Sequence, residues 1–128
     1  MAIVRVTEQN FEETIEAGIV LLDFWADWCG PCRMFAPIFE AAAERHPDVV
    51  FGKIDTEAES GLAGALNIRA IPTLMVLRDG VLLASQPGVM PDDVLDELIG
   101  QARGLDMDEV RRRVEEQRTE ASAEAERP

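Results

Sequence analysis

The 128-residue sequence has few of the side chains that hold metal ions and few long apolar stretches. It contains two cysteines and one histidine, His46. A structural zinc site needs four ligands, usually from Cys and His side chains, and this chain is short of them. No apolar run approaches the roughly 18 residues that a membrane-spanning helix requires. We therefore expect neither a bound metal ion nor a transmembrane segment.

Two further absences concern targeting and partners. Residues 1–14 carry acidic side chains where a secretory signal would need an apolar stretch of about 7–15 residues, which predicts a cytoplasmic protein. The chain has 12 basic and 25 acidic residues, a net charge of −13. This balance disfavours nucleic acid and anionic membranes as partners, because both require a basic surface. No Gly-x-Gly-x-x-Gly segment follows a predicted strand, so we expect no bound nucleotide cofactor.

The order of apolar segments predicts an α/β protein of one domain, long enough to bury a core. Residues 19–26 are almost continuously apolar, as a strand covered on both faces would be. Strands separated by helices favour parallel pairing, whereas the apolar runs around Arg-Asp-Gly at 78–80 predict an antiparallel hairpin. The expected architecture is a central mixed β-sheet with helices on both faces. One of these helices is predicted over residues 30–46, with a buried face made by Met34, Phe35, Ile38, Phe39 and Ala42.

The last quarter of the chain has a different character. Residues 103–118 are predicted to form a helical extension in which Met107, Val110 and Val114 make a thin apolar stripe. Such a helix can dock weakly at the periphery or serve as a contact with a partner or a second copy, and the sequence leaves both possibilities open. Residues 119–128 have little to bury and are predicted to be a disordered tail. Residues 1–102 are predicted to be the main domain.

Both cysteines lie in one turn, Cys29-Gly-Pro-Cys32. A purely structural disulfide across so small a loop would constrain the unfolded chain very little, which favours redox chemistry. Positions i and i+3 of a helix share one face, and Cys29 is expected at the helix N-terminus, where free N–H groups favour a thiolate. Pro31 is compatible with the first turn of a helix. An iron–sulfur cluster shared between two chains remains a weaker alternative.

The segment DFWADWCGPCRMFAP, residues 23–37, strongly resembles the active-site segment of the thioredoxin family. The resemblance continues at Lys53, at Ile-Pro-Thr 71–73 and at Gly88, and it covers about residues 3–102. It implies the thioredoxin fold, here with an extra C-terminal helix, and a cycle of dithiol–disulfide exchange.

Carried over by position, the resemblance implies that Cys29 is the exposed attacking thiolate and Cys32 the buried resolving thiol. Asp23 becomes a buried carboxylate behind the pair, able to accept the proton of Cys32, with Lys53 nearby. Pro72 would be a cis-proline that faces the disulfide and borders the substrate site. The resemblance also implies an apolar patch that receives protein substrates, formed by Trp28, Gly30, Pro31, Ile71, Gly88 and Val89.

The sequence departs from the family pattern in three places. Arg33 stands where lysine is usual and keeps the positive charge near the cysteines. Pro87 replaces a small aliphatic residue of the patch, a change that bears on partner preference. The extension after residue 102 has no counterpart in the minimal family member.

The resulting hypothesis is a general protein-disulfide reductase, an oxidoreductase of electron transport and cell redox homeostasis. The resemblance implies regeneration by a separate thioredoxin reductase that draws on NADPH. We expect a cytoplasmic monomer whose partners are that reductase and disulfide-containing proteins. Two alternatives remain: a thiol oxidase or disulfide isomerase, and a non-enzymatic binding module that uses the same patch. The Gly-Pro pair between the cysteines, typical of reducing members of the family, favours the reductase.

Overall fold

The computed structural model of the protein describes residues 3–126, which form a five-stranded mixed sheet with helices on both faces. The order of strands across the sheet is β1-β3-β2-β4-β5. Strand β3 pairs in parallel with β1 and β2, whereas β4 pairs antiparallel with β2 and β5. The elements in chain order are β1 (Val4–Arg5), α1 (Phe11–Ile15), β2 (Ile19–Trp25), α2 (Gly30–Arg45), β3 (Val50–Asp55), α3 (Ser60–Ala65), β4 (Thr73–Arg78), β5 (Val81–Pro87), α4 (Asp92–Gly104) and α5 (Met107–Ala125). The predicted fold class is confirmed.

The central strand β2 explains why helices cover both faces of the sheet. Alternate residues of a strand point to opposite faces, and in β2 both sets are apolar. Leu21 packs in the core beneath α2 and α4, whereas Leu22 packs in the core beneath α1 and α3. Asp23 belongs to the same set as Leu21, so its carboxylate lies on the face of the sheet that α2 covers.

The core beneath α2 and α4 is rich in aromatic side chains. The ring of Phe39 lies 5.9 Å from that of Phe35 and 5.1 Å from that of Phe51, centroid to centroid. All three side chains are buried. Burial of each contributes roughly 1.5–3 kcal/mol, so this cluster fixes α2, and with it the Cys pair, against the sheet.

The buried face of α2 differs from the prediction most at Met34, while Ile38 is partly buried against the core. Its buried residues are Cys32, Phe35, Phe39, Ala42 and Ala43. Met34, which the sequence placed on this face, is 65% exposed, so that assignment is wrong. The reason is geometric: the buried stripe follows the spacing 32, 35, 39 and 42, and one residue on a helix turns the side chain by about 100°.

The predicted hairpin is present between β4 and β5. Its turn residues Asp79 and Gly80 both have positive φ, 53° and 81°. This backbone conformation is the one that two-residue hairpin turns require and that Asp-Gly sequences favour. Arg78 and Val81 close the hairpin as partners in the ladder.

Helix α5 is longer than predicted. Residues 119–125 are helical rather than disordered, Arg103 and Gly104 belong to α4, and residues 127–128 lie outside the described part of the chain. Ion pairs stabilise the turns before residue 119, where the Arg112 guanidinium lies 2.7 Å from the carboxylates of both Glu109 and Glu116, and the helix continues from these turns to Ala125. Such i, i+3 and i, i+4 pairs support the exposed part of the helix, which begins at residue 111.

The start of α5 is fastened to the domain at the hairpin. Met107 is 7% exposed, and the Arg111 guanidinium lies 3.4 Å from the Asp79 carboxylate. Arg78 donates hydrogen bonds to the carbonyl oxygens of Ala102 and Leu105, which satisfies acceptors at the end of α4. The hairpin turn lies at the end of β4 opposite Pro72, so the extension is attached away from the Cys pair. Across residues 3–126, no helix combines the length and apolar character needed to cross a bilayer.

Candidate active site

The Cys pair lies where β2 ends and α2 begins. Cys29 is the N-cap of α2, with extended backbone angles, and its Sγ accepts a hydrogen bond of 3.2 Å from the N–H of Cys32. The two cysteines form a disulfide with a Cα–Cα distance of 5.2 Å. Pro31 occupies the first turn, where no intrahelical N–H bond is lost. The sequence predicted this arrangement, and the structure has it.

The exposure of the two cysteines differs from the prediction. Cys29 is 4% exposed and Cys32 is 3% exposed, so the expectation of an exposed Cys29 is wrong for the disulfide form. Ala26 is buried with the pair, and the partly buried side chains of Trp25 and Ile71 pack against it. Position rather than exposure distinguishes the two sulfurs, because Cys29 lines a surface cavity and Cys32 does not.

The loop before β4 faces the disulfide. The Ile71–Pro72 peptide bond is cis, and the carbonyl oxygen of Ile71 lies 3.7 Å from Cys29 Sγ. Gly88 donates its N–H to the carbonyl oxygen of Pro72 at 2.8 Å and has a φ of 99°, which favours glycine. Val89 follows and is 38% exposed. The fold thus brings the loop before β4, at Pro72, next to the loop after β5, at Gly88, although about 16 residues separate them in the sequence.

The cavity beside Cys29 has a volume of about 590 Å³. Trp28 stands at its edge, 67% exposed, and its Nε1 donates a hydrogen bond of 2.9 Å to Glu57. Sequence reasoning missed the side formed by residues 68–70; their position just before Ile71 was the available signal. The lining residues are Trp28, Cys29, Gly30, Pro31, Thr56, Ala63, Ile68, Arg69, Ala70 and Ile71.

Asp23 lies in the core without a polar partner. Its side chain is fully buried, and neither carboxylate oxygen has a hydrogen-bond partner among residues 3–126. Burial raises the pKa of Asp23 from 3.8 to about 7, although the positive charge of Lys53 acts in the opposite direction. A carboxyl group with this pKa is partly protonated near neutral pH and can both accept and donate a proton.

Lys53 lies beside Asp23 without bonding to it. The two residues are directly paired across β2 and β3. The Lys53 ammonium lies 5.0 Å from the centroid of the Trp25 ring, a cation–π position, and makes no ion pair of 4.0 Å or less with Asp23. Lys53 therefore acts on Asp23 through its charge at a distance.

The predicted residues therefore fall into two sets. Cys29, Trp28, Gly30, Pro31 and Ile71 share the cavity. The second set does not line the cavity: Pro72, Gly88 and Val89 lie in the adjoining loops, Asp23 and Lys53 in β2 and β3, and Cys32 in α2. Among residues 3–126, no group of three or more His, Cys, Asp and Glu side chains is arranged to hold a metal ion.

Comparison with known proteins places the chain in a family. The family model described as Thioredoxin matches residues 2–101. A Streptomyces coelicolor protein designated thioredoxin 2 is 54% identical over 119 residues, which cover 92% of this chain and 89% of that protein. The thioredoxin of Bacillus subtilis is 41% identical over 102 residues, covering 79% of this chain and 98% of its own length.

Solved structures show the same similarity. A single-site mutant of the thioredoxin from Halobacterium salinarum NRC-1 superposes with a TM-score of 0.75 at 33% identity, covering 83% of this chain and 98% of that one. A thioredoxin from Plasmodium falciparum gives a TM-score of 0.71 at 32% identity, with coverage of 77% and 98%. The chain belongs to the thioredoxin family, and it is a protein-disulfide reductase that acts by thiol–disulfide exchange through the Cys29–Cys32 pair.

Proposed function

We propose that Cys29 is the nucleophile of this exchange and Cys32 the resolving thiol. The observation that supports this assignment is that Cys29 caps α2 and lines the cavity. Its sulfur accepts the N–H of Cys32 at 3.2 Å, and the positive end of the helix dipole stabilises negative charge there. The same contact in the dithiol form lowers the cost of a Cys29 thiolate.

The reaction transfers two electrons and two protons. The Cys29 thiolate attacks one sulfur of the substrate disulfide, forming a mixed disulfide and releasing the other substrate sulfur as a thiolate, which takes up a proton. Cys32, once deprotonated, attacks Cys29 Sγ and releases the second substrate thiolate, which is also protonated. The substrate ends as a dithiol and the protein as the Cys29–Cys32 disulfide.

Asp23 is proposed to accept the proton that Cys32 loses in the second step. It lies on the face of the sheet that α2 covers, and its pKa of about 7 matches proton exchange near neutral pH. Lys53 is proposed to limit this rise in the pKa through its charge. Both residues are thus assigned to proton handling, and neither needs to contact the substrate.

The proposed docking surface consists of Trp28, Gly30, Pro31, Ile71, Pro72, Gly88 and Val89. Apolar side chains and exposed backbone surround the sulfur of Cys29, so a substrate segment can approach it closely. The partners proposed are disulfide-containing proteins and a thioredoxin reductase that supplies electrons from NADPH. Neither nucleic acid nor a membrane is a proposed partner, because the net charge of −13 repels both.

We also propose that the protein is cytoplasmic. The cytoplasm is a reducing compartment, in which the cysteine pair is kept as the dithiol that the reaction needs. We propose a monomer, since residues 112–125 project as an exposed, charged helix, and residues 1–102 as the catalytic domain. The sedimentation velocity of the full chain tests the oligomeric state.

Serine variants of each cysteine test the assignment of roles. Cys32→Ser should accumulate a mixed disulfide with an oxidised protein substrate, because nothing resolves it, whereas Cys29→Ser should form none; mass spectrometry measures both. A mixed disulfide trapped through Cys32 in the Cys29→Ser variant would reverse the roles. Equilibration of the unmodified protein in glutathione buffers is the companion measurement. A pair that is already reduced in mildly oxidising buffer would favour the oxidase or isomerase.

A further inference from the structure

The cavity beside Cys29 contains a single kind of charge. Its lining is apolar side chains and backbone with the hydroxyl of Thr56, and Arg69 is the one charged residue among the lining residues of the described chain. The Thr56 hydroxyl is already engaged, because it donates to the carbonyl oxygen of Trp25 at 3.0 Å. Arg69 itself is exposed, so a positively charged side chain stands at the rim of this cavity in a protein whose net charge is −13.

The Arg69 guanidinium is oriented but not neutralised. Its Nε donates a hydrogen bond of 3.1 Å to the side-chain oxygen of Asn67, a residue with φ of 58° that turns the chain at this point. No ion pair joins Arg69 to a carboxylate within residues 3–126. Its two terminal nitrogens are therefore available to an incoming group, and a planar guanidinium binds a carboxylate through two parallel hydrogen bonds.

Negative charge lies outside the lining, next to Trp28. Glu57 accepts the hydrogen bond of Trp28 Nε1 and is exposed, so an acidic substrate group is repelled on that side. Arg69 lies just before Ile71, whose carbonyl oxygen is 3.7 Å from Cys29 Sγ. Repulsion by Glu57 and attraction by Arg69 both favour a carboxylate beside residues 68–71, which line the cavity.

We infer that Arg69 is a specificity-determining residue, which selects disulfide substrates with an Asp or Glu side chain next to the attacked cysteine. This inference rests on the proposed roles of Cys29 and of the docking surface. The net negative charge of the protein does not oppose it at close range, because repulsion between exposed charges is screened beyond about 8 Å at physiological ionic strength. The contact with Arg69 acts within the cavity, over the length of a hydrogen bond.

The test compares two peptides that each contain one intramolecular disulfide and differ only by Glu or Gln beside the attacked cysteine. The chemically reduced protein is mixed with each tryptophan-free peptide in a single turnover followed by the fluorescence of Trp25 and Trp28, so no reductase is needed. Reduction of both peptides by dithiothreitol gives their intrinsic reactivity ratio, by which the protein's ratio is divided. We expect the unmodified protein to prefer the Glu peptide by about five-fold at 0.15 M salt.

Three variants locate the source of this preference. Arg69→Gln should reduce the ratio to about one, while Arg69→Lys should keep part of it, because the charge remains and the bidentate geometry is lost. Arg118→Gln is the matched control, since it removes the same charge from exposed α5 and should leave the ratio unchanged. Far-ultraviolet circular dichroism establishes that each variant is folded.

The possible outcomes distinguish a failure of the role of Arg69 from a failure of the proposed disulfide-reductase function. Equal rates for the two peptides with the unmodified protein, or a ratio that survives Arg69→Gln, would overturn the role of Arg69. A ratio that falls equally in Arg118→Gln would attribute the preference to net charge and would also overturn it. Failure to reduce either peptide would contradict the proposed function itself.

Discussion

The ionisable groups of Asp23 and Arg112 lie in opposite environments, one buried without a partner among residues 3–126 and one exposed between two partners. Asp23 is fully buried in the sheet without a hydrogen-bond partner, whereas Arg112 lies on the exposed surface of α5 between two carboxylates at 2.7 Å. An isolated charge in a core is costly, and the carboxyl group responds with a raised pKa. A surface pair costs little and contributes little. The unfavourable arrangement belongs to the carboxyl group to which we assign the proton of Cys32, and its pKa of about 7 suits that proposed role.

The largest effect is expected from removing the buried carboxyl. The pKa of Asp23 rises from 3.8 in the unfolded chain to about 7 in the folded protein, so the folded state binds this proton more tightly. The stability that results is fully present below pH 3.8 and is lost as the pH rises through about 7. The free energy of unfolding should therefore fall by roughly 2–3 kcal/mol between pH 5 and pH 8 on account of this group. In Asp23→Asn that part of the pH dependence should disappear.

Urea unfolding of the disulfide form at both pH values measures this difference. Asp48 and Asp96 do not interfere, because hydrogen bonds with Arg103 and His46 respectively lower their pKa values, and they titrate below the window. Comparing the variant with the unmodified protein cancels the titration of every other group. An unchanged pH dependence in Asp23→Asn would mean that the carboxyl is not buried in solution.

An intermediate effect is expected where the extension meets the domain. Met107→Ala should lower the free energy of unfolding by about 1–3 kcal/mol, because it removes a side chain that is buried at the start of α5. Met34→Ala is the matched control: the same substitution at a position that is 65% exposed should change stability by less than about 0.5 kcal/mol. Equal effects of the two substitutions in urea unfolding would show that α5 does not pack as described.

The smallest effect is expected at Arg112. Arg112→Gln removes the pairs with Glu109 and Glu116, so α5 should lose part of its helix, while the unfolding midpoint of the domain should stay constant. Circular dichroism at 222 nm measures the first and urea unfolding the second. Arg118→Gln, which removes one weaker pair at 3.7 Å, should cost less helix. A shift of the domain midpoint would indicate that α5 packs on the domain beyond its first turns.

Local patterns in the sequence predicted the features that local physics controls. Asp79 and Gly80 identified the hairpin because positive φ is a property of the turn residues themselves. The i, i+3 spacing of Cys29 and Cys32 at the start of a helix predicted their pairing for the same reason. The length of α5 was predicted less well, because composition suggested disorder after residue 118, whereas the helix continues to Ala125.

Contacts between distant segments required the tertiary structure. Cys29 is buried because Ile71, 42 residues later, packs over it, and Arg69 enters the cavity because the same loop carries it there. Met34 is exposed because the direction of α2 is set by Phe35 and Phe39 in the core. The sequence by itself determined the redox chemistry, the order of elements and the turn. Packing decided which side of α2 is exposed, how far Cys29 is covered and which residues line the cavity beside it, because each of these depends on segments that meet only after folding.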